Sequence, residues 1–223
     1  MHYTSKKAGE YFADLYGKDN FVVVDIGGAD GHKRFRNYYT NLNMKYICVD
    51  LTPCESVDVV IEPGQKLPFA DGSVDLVISS SCFEHDPCFW ITFREMCRIT
   101  KNDGFIYINA PSKGSYHCVP GDNWRFYGDA GQALAYWASL SYGNEIPYPV
   151  SVEETFHIHT TMQTMPSHWS DFVCIWKRTS EKQSTIVVSD TMKNKMGPLR
   201  LKLINDGLNC SSQKEVSPQE WGP

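Results

Sequence analysis

Five short apolar runs, each closed by a polar or glycine-containing break, set what this chain can fold into. Residues 21–26 (FVVVDI), 45–50 (KYICVD), 57–61 (VDVVI), 74–80 (VDLVISS) and 105–110 (FIYINA) have strand length. They are too apolar to face water on either side, as in a sheet covered on both faces. Helical spacing fills the gaps between them. Residues 5–16 put Ala8, Tyr11, Phe12 and Leu15 on one face behind a cap at Thr4 or Ser5, and residues 31–42 read as a second helix. Asp86-Pro87 opens a third helix, running to about Thr100, with Asp as N-cap and Pro in the first turn. Strands alternating with helices imply an α/β fold with a parallel sheet and right-handed crossovers. Such a sheet gathers its ligand at the carboxyl ends of its strands. Asp25, Asp50, Ser80 and Ala110 all stand at such ends, so the chemistry converges on one rim.

Residues 111–128 (PSKGSYHCVPGDNWRFYG) form a long aromatic insert, a length that points to function in a compact domain. Residues 129–141 return to helix with Asp129 as cap, and 151–160 and 170–178 suit a closing pair of strands. The chain is polar and irregular beyond Thr179, apart from an edge-strand candidate in QSTIVV. The division expected is therefore a domain over 1–179 and an extension or tail over 180–223.

A net charge of −5 argues against nucleic acid as the main partner, because phosphate binding needs clustered Lys and Arg. No run approaches the roughly 18 apolar residues of a membrane helix. The N-terminal MHYTSKKAGEYF has no secretory apolar core. None of the eight cysteines forms a CxxC pair, which disfavours a zinc framework; they read as reduced thiols of a cytoplasm-like compartment.

The loop after the first strand is VVVDIGGADGH. A nicotinamide loop reads GxGxxG, and here Gly27, Ala29 and His32 fall on those positions. The order Asp25, Gly27, Gly31, with Gly28 and Ala29 between, resembles instead the first motif of the class I S-adenosylmethionine (SAM)-dependent methyltransferases. Asp50, twenty-five residues after Asp25, ends the second strand where a carboxylate can accept both ribose hydroxyls. The block EPGQKLPFADGSVDLVISSSCFEHD (62–86) resembles the LPF-x-D-x-S-F-D-x-V-x-S segment of the same superfamily, with Val74 for its Phe. The resemblance covers about residues 20–178. It implies a Rossmann-like fold: a seven-stranded, mostly parallel sheet with helices on both faces. It also implies a SAM cofactor held by Asp25, Gly27, Gly28, Ala29, Gly31, Asp50 and Leu51, with residues 62–67 near the base. Ser80, Ser81 and Cys82 would line the sulfonium side.

Residues 79–138 are similar to a subgroup of type 11-like methyltransferases found with polysaccharide-assembly enzymes, among them C-terminal domains of chlorovirus glycan-synthesis proteins. This implies a viral chain that is one part of a larger glycosyltransferase polypeptide. It also implies O-methylation of a sugar hydroxyl on a glycan or glycoside, a terminal rhamnose or other deoxyhexose. A sugar hydroxyl is a poor nucleophile at neutral pH and needs a base within hydrogen-bond reach. Three residues on the rim loops are candidates: His85, and His117 oriented by Asp122. Tyr116, Asn123, Trp124, Arg125 and Tyr127 combine aromatic faces with polar groups, as a pyranose requires; Trp124 and Phe126 also suit simple packing. His157 and His159 share one side of a strand but lack a carboxylate partner, and Met162 and Met165 read as packing, so no metal is expected. The alternatives are a methyltransferase for a nonsugar metabolite and a noncatalytic SAM-binding domain regulating a glycan-assembly enzyme.

Overall fold

A computed structural model describes residues 3–29, 33–117, 121–141, 146–160, 169–180 and 196–212. Gly31, His32, Met162, Met165 and the QSTIVV segment lie outside them. The elements in order are α1 (Tyr3–Tyr16), β1 (Val22–Ile26), α2 (Lys33–Asn41), β2 (Lys45–Asp50), β3 (Val59–Val60), β4 (Val74–Ser80), α3 (Phe89–Ile99) and β5 (Thr100–Lys113). There follow α4 (Ala130–Ser139), β6 (Val150–Thr160), β7 (Trp169–Arg178), α5 (Pro198–Asn205) and β8 (Asn209–Ser211).

The strands form one sheet in the order β3-β2-β1-β4-β5-β7-β6-β8. The first five run parallel; β7 enters antiparallel between β5 and β6. Strand order reverses between β1 and β4, which opens a crevice at their carboxyl ends. Alternation along each strand feeds two cores. Val24, Ile26, Val77 and Trp176 pack with Phe93 and Met96 of α3 and Leu134 of α4. Val23, Leu76, Ile78 and Ile175 pack on the other face with Phe12 of α1, Phe35 of α2 and Leu199 of α5. This is the expected α/β architecture of helices on both faces of a mostly parallel sheet.

Several local expectations need correction. Among the described residues the sheet has eight strands, not seven, because residues 196–212, read as tail, supply α5 and the edge strand β8, which pairs with β6 through Ile158 and Cys210. Glu154 holds this segment: its carboxylate accepts from the Leu199 and Arg200 amides, both at 3.1 Å, and from the Tyr16 hydroxyl at 2.6 Å. It thus caps α5 from a neighbouring strand, which no local pattern announces. Thr4 and Ser5 lie inside α1 rather than before it, and Ser5 Oγ donates to Asp171 at 2.8 Å. Leu15 is largely exposed, and the buried face is Ala8, Gly9, Phe12 and Ala13. The cap position of α3 is Cys88, not Asp86, whose carboxylate instead accepts from the Cys88 amide at 2.8 Å and the Thr92 hydroxyl at 2.5 Å. Asp129 does occupy the cap position of α4, but its side chain makes no capping bond. β3 shrinks to two residues, and β5 extends beyond 105–110 at both ends.

Candidate active site

The loop after β1 is shaped by what lies beneath it. Gly27 has φ +78°, and a Cβ there would meet Cys82 Sγ at 2.3 Å. Only glycine combines that backbone with that approach. Its amide donates to Val49 O at 2.8 Å, tying the loop to β2. A Cβ on Gly28 would lie 2.7 Å from Cys48 Sγ and 2.8 Å from Asp25 Oδ2. Asp25 itself is fully buried and accepts from the Tyr46 hydroxyl. It supports the loop from below instead of presenting a carboxylate to the crevice.

Asp50 is different. It is half-buried at the tip of β2, with Oδ2 accepting from the Ala29 amide and Oδ1 from the Thr52 amide, each at 3.0 Å. A carboxylate has about four acceptor sites, and among the described residues two are used, leaving two for a ligand. Ala29 contributes its amide to this arrangement, so its methyl in place of a glycine is no obstacle to it. Leu51, beside Asp50, is 52% exposed and offers an apolar surface on the rim.

Across the crevice, Ser79 Oγ donates to Ile26 O at 3.0 Å and joins the ends of β4 and β1. Ser80 is buried, its hydroxyl 3.5 Å from Asn109 Oδ1. Ser81 turns the chain with φ +53°, and its amide donates to Asn109 O at 2.9 Å. Burial raises the Cys82 thiol well above its ordinary value, so it stays protonated. At the opposite end of β4, the buried Arg98 guanidinium donates to Leu67 O, Phe69 O and Asp71 Oδ1, each at 2.8 Å, which fixes the LPFAD turn.

The insert after β5 folds back on the segment after β4. The amides of Asn123 and Trp124 donate to Glu84 O at 2.7 and 3.2 Å; Asn123 Nδ2 donates to His85 O and Trp124 Nε1 to Asp86 O, both at 2.9 Å. Phe126 packs against Phe83, Phe89 and Phe172. Arg125 forks onto Asp122 at 2.5 and 2.6 Å, and that pairing, acting against burial, holds the Asp122 carboxyl down to about 2. Asn123 and Arg125, expected on the acceptor, therefore spend these groups on seating the insert. Tyr116 and Tyr127 remain open, at 73% and 54% exposed.

Under the insert His85 and His117 meet edge to face, with ring centroids 5.0 Å apart. His117 Nδ1 lies 3.2 Å from Asp122 Oδ2, within ion-pair reach but outside hydrogen-bond geometry. His85 Nδ1 contacts Gly121 O, and its Nε2 lies 3.7 Å from Glu84 Oε1. The three sequence candidates His85, His117 and Asp122 are thus brought into one corner. Glu84 completes the corner and was missed: it is 1% exposed, and burial pushes its carboxyl up to about 7. Its only sequence signal is its place between Phe83 and His85 in FEHD. Alongside the corner lies a groove of about 420 Å³ lined by Phe89, Trp124, Phe126, Tyr127, Asp129 and Ala133, among others, and including Arg125. His157 is buried away from the corner, and its ring stands 6.5 Å from that of His159, whose Nε2 pairs with Ser211 Oγ at 2.5 Å.

Comparison with known proteins agrees with this layout. Residues 24–108 match the model of a methyltransferase domain. An uncharacterized methyltransferase of a Mycobacterium species is 36% identical over 97 residues, 40% of this chain and 38% of that protein. The match thus spans about two fifths of the relative's length. A Burkholderia thailandensis 1,6-didemethyltoxoflavin-N1-methyltransferase, solved with bound 1,6-didemethyltoxoflavin and S-adenosylhomocysteine, superposes with TM-score 0.61 at 15% identity over 79% of each chain. A SAM-dependent methyltransferase from Archaeoglobus fulgidus gives 0.56 at 18% identity over 77% of this chain and 92% of its own. These likenesses are of fold.

Proposed function

Starting from a SAM-dependent methyltransferase domain over residues 24–108, we propose that the protein O-methylates a sugar hydroxyl, on a terminal rhamnose or other deoxyhexose of a glycan or glycoside. The cofactor is SAM, and the residues fit it. Asp50 has acceptor capacity left for a ribose diol, Leu51 offers an apolar rim for a base, and the backbone of Gly27, Gly28 and Ala29 lies close to both. Gly31, Ser80, Ser81 and Cys82 complete the cofactor set proposed here. The bound cofactor supplies an activated methyl on a sulfonium, so the protein's own task is mostly placement.

The observation that carries the sugar reading is the aromatic groove beside the histidine corner. Phe89, Trp124, Phe126 and Tyr127 give it ring faces, and Arg125 and Asp129 give it charged edges. Rings that cover a C–H face, with polar groups at the margin, are what a pyranose requires. His117, backed by Asp122 and flanked by His85, accepts the hydroxyl proton; positioned bases of this kind contribute about 10²–10⁴-fold. Asp122 and Arg125 keep the ring in place. The acceptor belongs to a glycan-assembly system in a cytoplasmic compartment, and the domain works there as part of a larger glycosyltransferase polypeptide. No helix among the described residues is long and apolar enough to cross a membrane.

A planar heterocycle is the second reading, favoured by the exposed Trp124 and Tyr127 faces; the Burkholderia enzyme above has 1,6-didemethyltoxoflavin bound. The test is incubation with SAM and a panel of rhamnosides, other glycosides and aromatic heterocycles. The expected result is S-adenosylhomocysteine with a glycoside heavier by one CH₂. Turnover of heterocycles alone would overturn the sugar reading. His117→Ala should then lose about 10²-fold or more in kcat with SAM affinity retained.

A further inference from the structure

We propose that Glu84, His85 and His117 bind a divalent transition-metal ion of the zinc type, leaving a coordination position for an oxygen of the acceptor. One donor atom from each residue lies within 4.8 Å of the other two. Bonds to zinc of about 2.0–2.1 Å place tetrahedral ligands roughly 3.4 Å apart. His85 Nε2 and Glu84 Oε1 are already 3.7 Å apart, so small side-chain rotations close the set.

Hydrogen bonding around the cluster matches a metal site. His85 Nδ1 faces Gly121 O, which can only accept, so the ring proton of neutral His85 sits on Nδ1. Its Nε2 then presents a lone pair to Glu84 Oε1, acceptor against acceptor, an arrangement that either a shared proton or a bound cation relieves. Among the described residues Glu84 Oε2 is buried with no hydrogen-bond partner, although buried carboxylates are ordinarily paired or coordinate metals. His117 has Asp122 at 3.2 Å on its Nδ1 side, and Asp122 is itself fixed by Arg125. A carbonyl behind one histidine and a carboxylate behind the other is the outer-shell pattern of metal-bound imidazoles. Two imidazoles and one carboxylate select a borderline transition ion over Mg²⁺ or Ca²⁺, which take oxygen sets. Three protein ligands leave an open position, as in catalytic zinc sites.

The binding claim stands by itself; only the identity of the fourth ligand rests on the proposed O-methylation. With the ion present, His117 would give its lone pair to the metal instead of acting as the base, and the acceptor hydroxyl, acidified by the ion, would release its proton to water.

The experiment uses chelator-treated full-length protein titrated with Co²⁺ and Zn²⁺, read by visible absorption, by calorimetry and by thermal unfolding. The expected result is one ion per chain at micromolar affinity or tighter, a Co²⁺ spectrum displaced by Zn²⁺ but not by Mg²⁺, and a raised Tm. His85→Ala and His117→Ala should weaken binding at least tenfold, while His159→Ala leaves it unchanged. Glu84→Gln should do the same as the first two; His117, at the exposed edge, serves where the buried Glu84 variant fails to fold. Absence of one-to-one binding, or binding indifferent to His85→Ala and His117→Ala, overturns the site. Ion binding without turnover of any glycoside keeps the site and removes the sugar reading. Glycoside methylation by a protein that binds no ion does the reverse.

Discussion

Gly27 carries two demands at once. Its φ of +78° costs an L-residue about 1–3 kcal/mol, and a Cβ would press into Cys82 Sγ at 2.3 Å. Gly27→Ala should therefore destabilise the protein by at least about 2 kcal/mol in urea unfolding and weaken SAM binding. Adding Cys82→Ala should recover the steric part and leave the backbone part. Full recovery in the double variant would show that conformation at this position is unimportant. The glycine was legible in the sequence, but its partner was not, because Cys82 comes from the far side of β4, fifty-five residues away. The same is true of Asp25. The sequence shows an acid at a strand end, but only the fold shows it covered by Tyr46 and closed beneath Gly28.

At the scale of elements, β1, β2, β4 and β5 were legible because each is a short apolar run buried on both faces. α5 and β8 were not, because their stability is borrowed. α5 spans eight residues, too few to persist alone, and its leading amides are satisfied by Glu154 on β6. Glu154→Ala should free α5 and β8 while leaving the central sheet intact. The expected readings are faster proteolysis within 196–212, a loss of about 2–4 kcal/mol and near-native circular dichroism. Unchanged protease resistance would show that apolar packing of Leu199 and Leu203 is sufficient. The acceptor-side corner was legible in part for a similar reason. His85, His117 and Asp122 are conspicuous residue types, whereas Glu84 becomes conspicuous only once the insert has buried it.

For the molecule as a whole, acid sensitivity should trace in part to His157, whose burial pushes its imidazole down to about 4. Both folded and unfolded states hold it neutral above its ordinary value of 6.5. As the pH falls below that value, the unfolded chain takes up a proton that the folded protein refuses until about pH 4, so stability is lost across this window. The contribution is on the order of 3 kcal/mol. The stability difference between His157→Phe and the wild type, measured by urea unfolding, should grow in favour of the variant from pH 6.5 to 4. A constant difference would sink the assignment.

The bonds from the Asn123 and Trp124 amides to Glu84 O have a consequence for how the two ligands meet. On the function proposed above, the segment that follows β4 would face the cofactor and the insert the acceptor, and the two are joined at one carbonyl. Whatever settles the insert also settles the crevice wall, and linkage requires the effect to be mutual. SAM should then bind more tightly in the presence of a true acceptor, by the same factor that SAM tightens the acceptor. Calorimetry with each ligand alone and with the other saturating measures the factor from both sides, and a factor of one would show that the shared carbonyl carries no coupling.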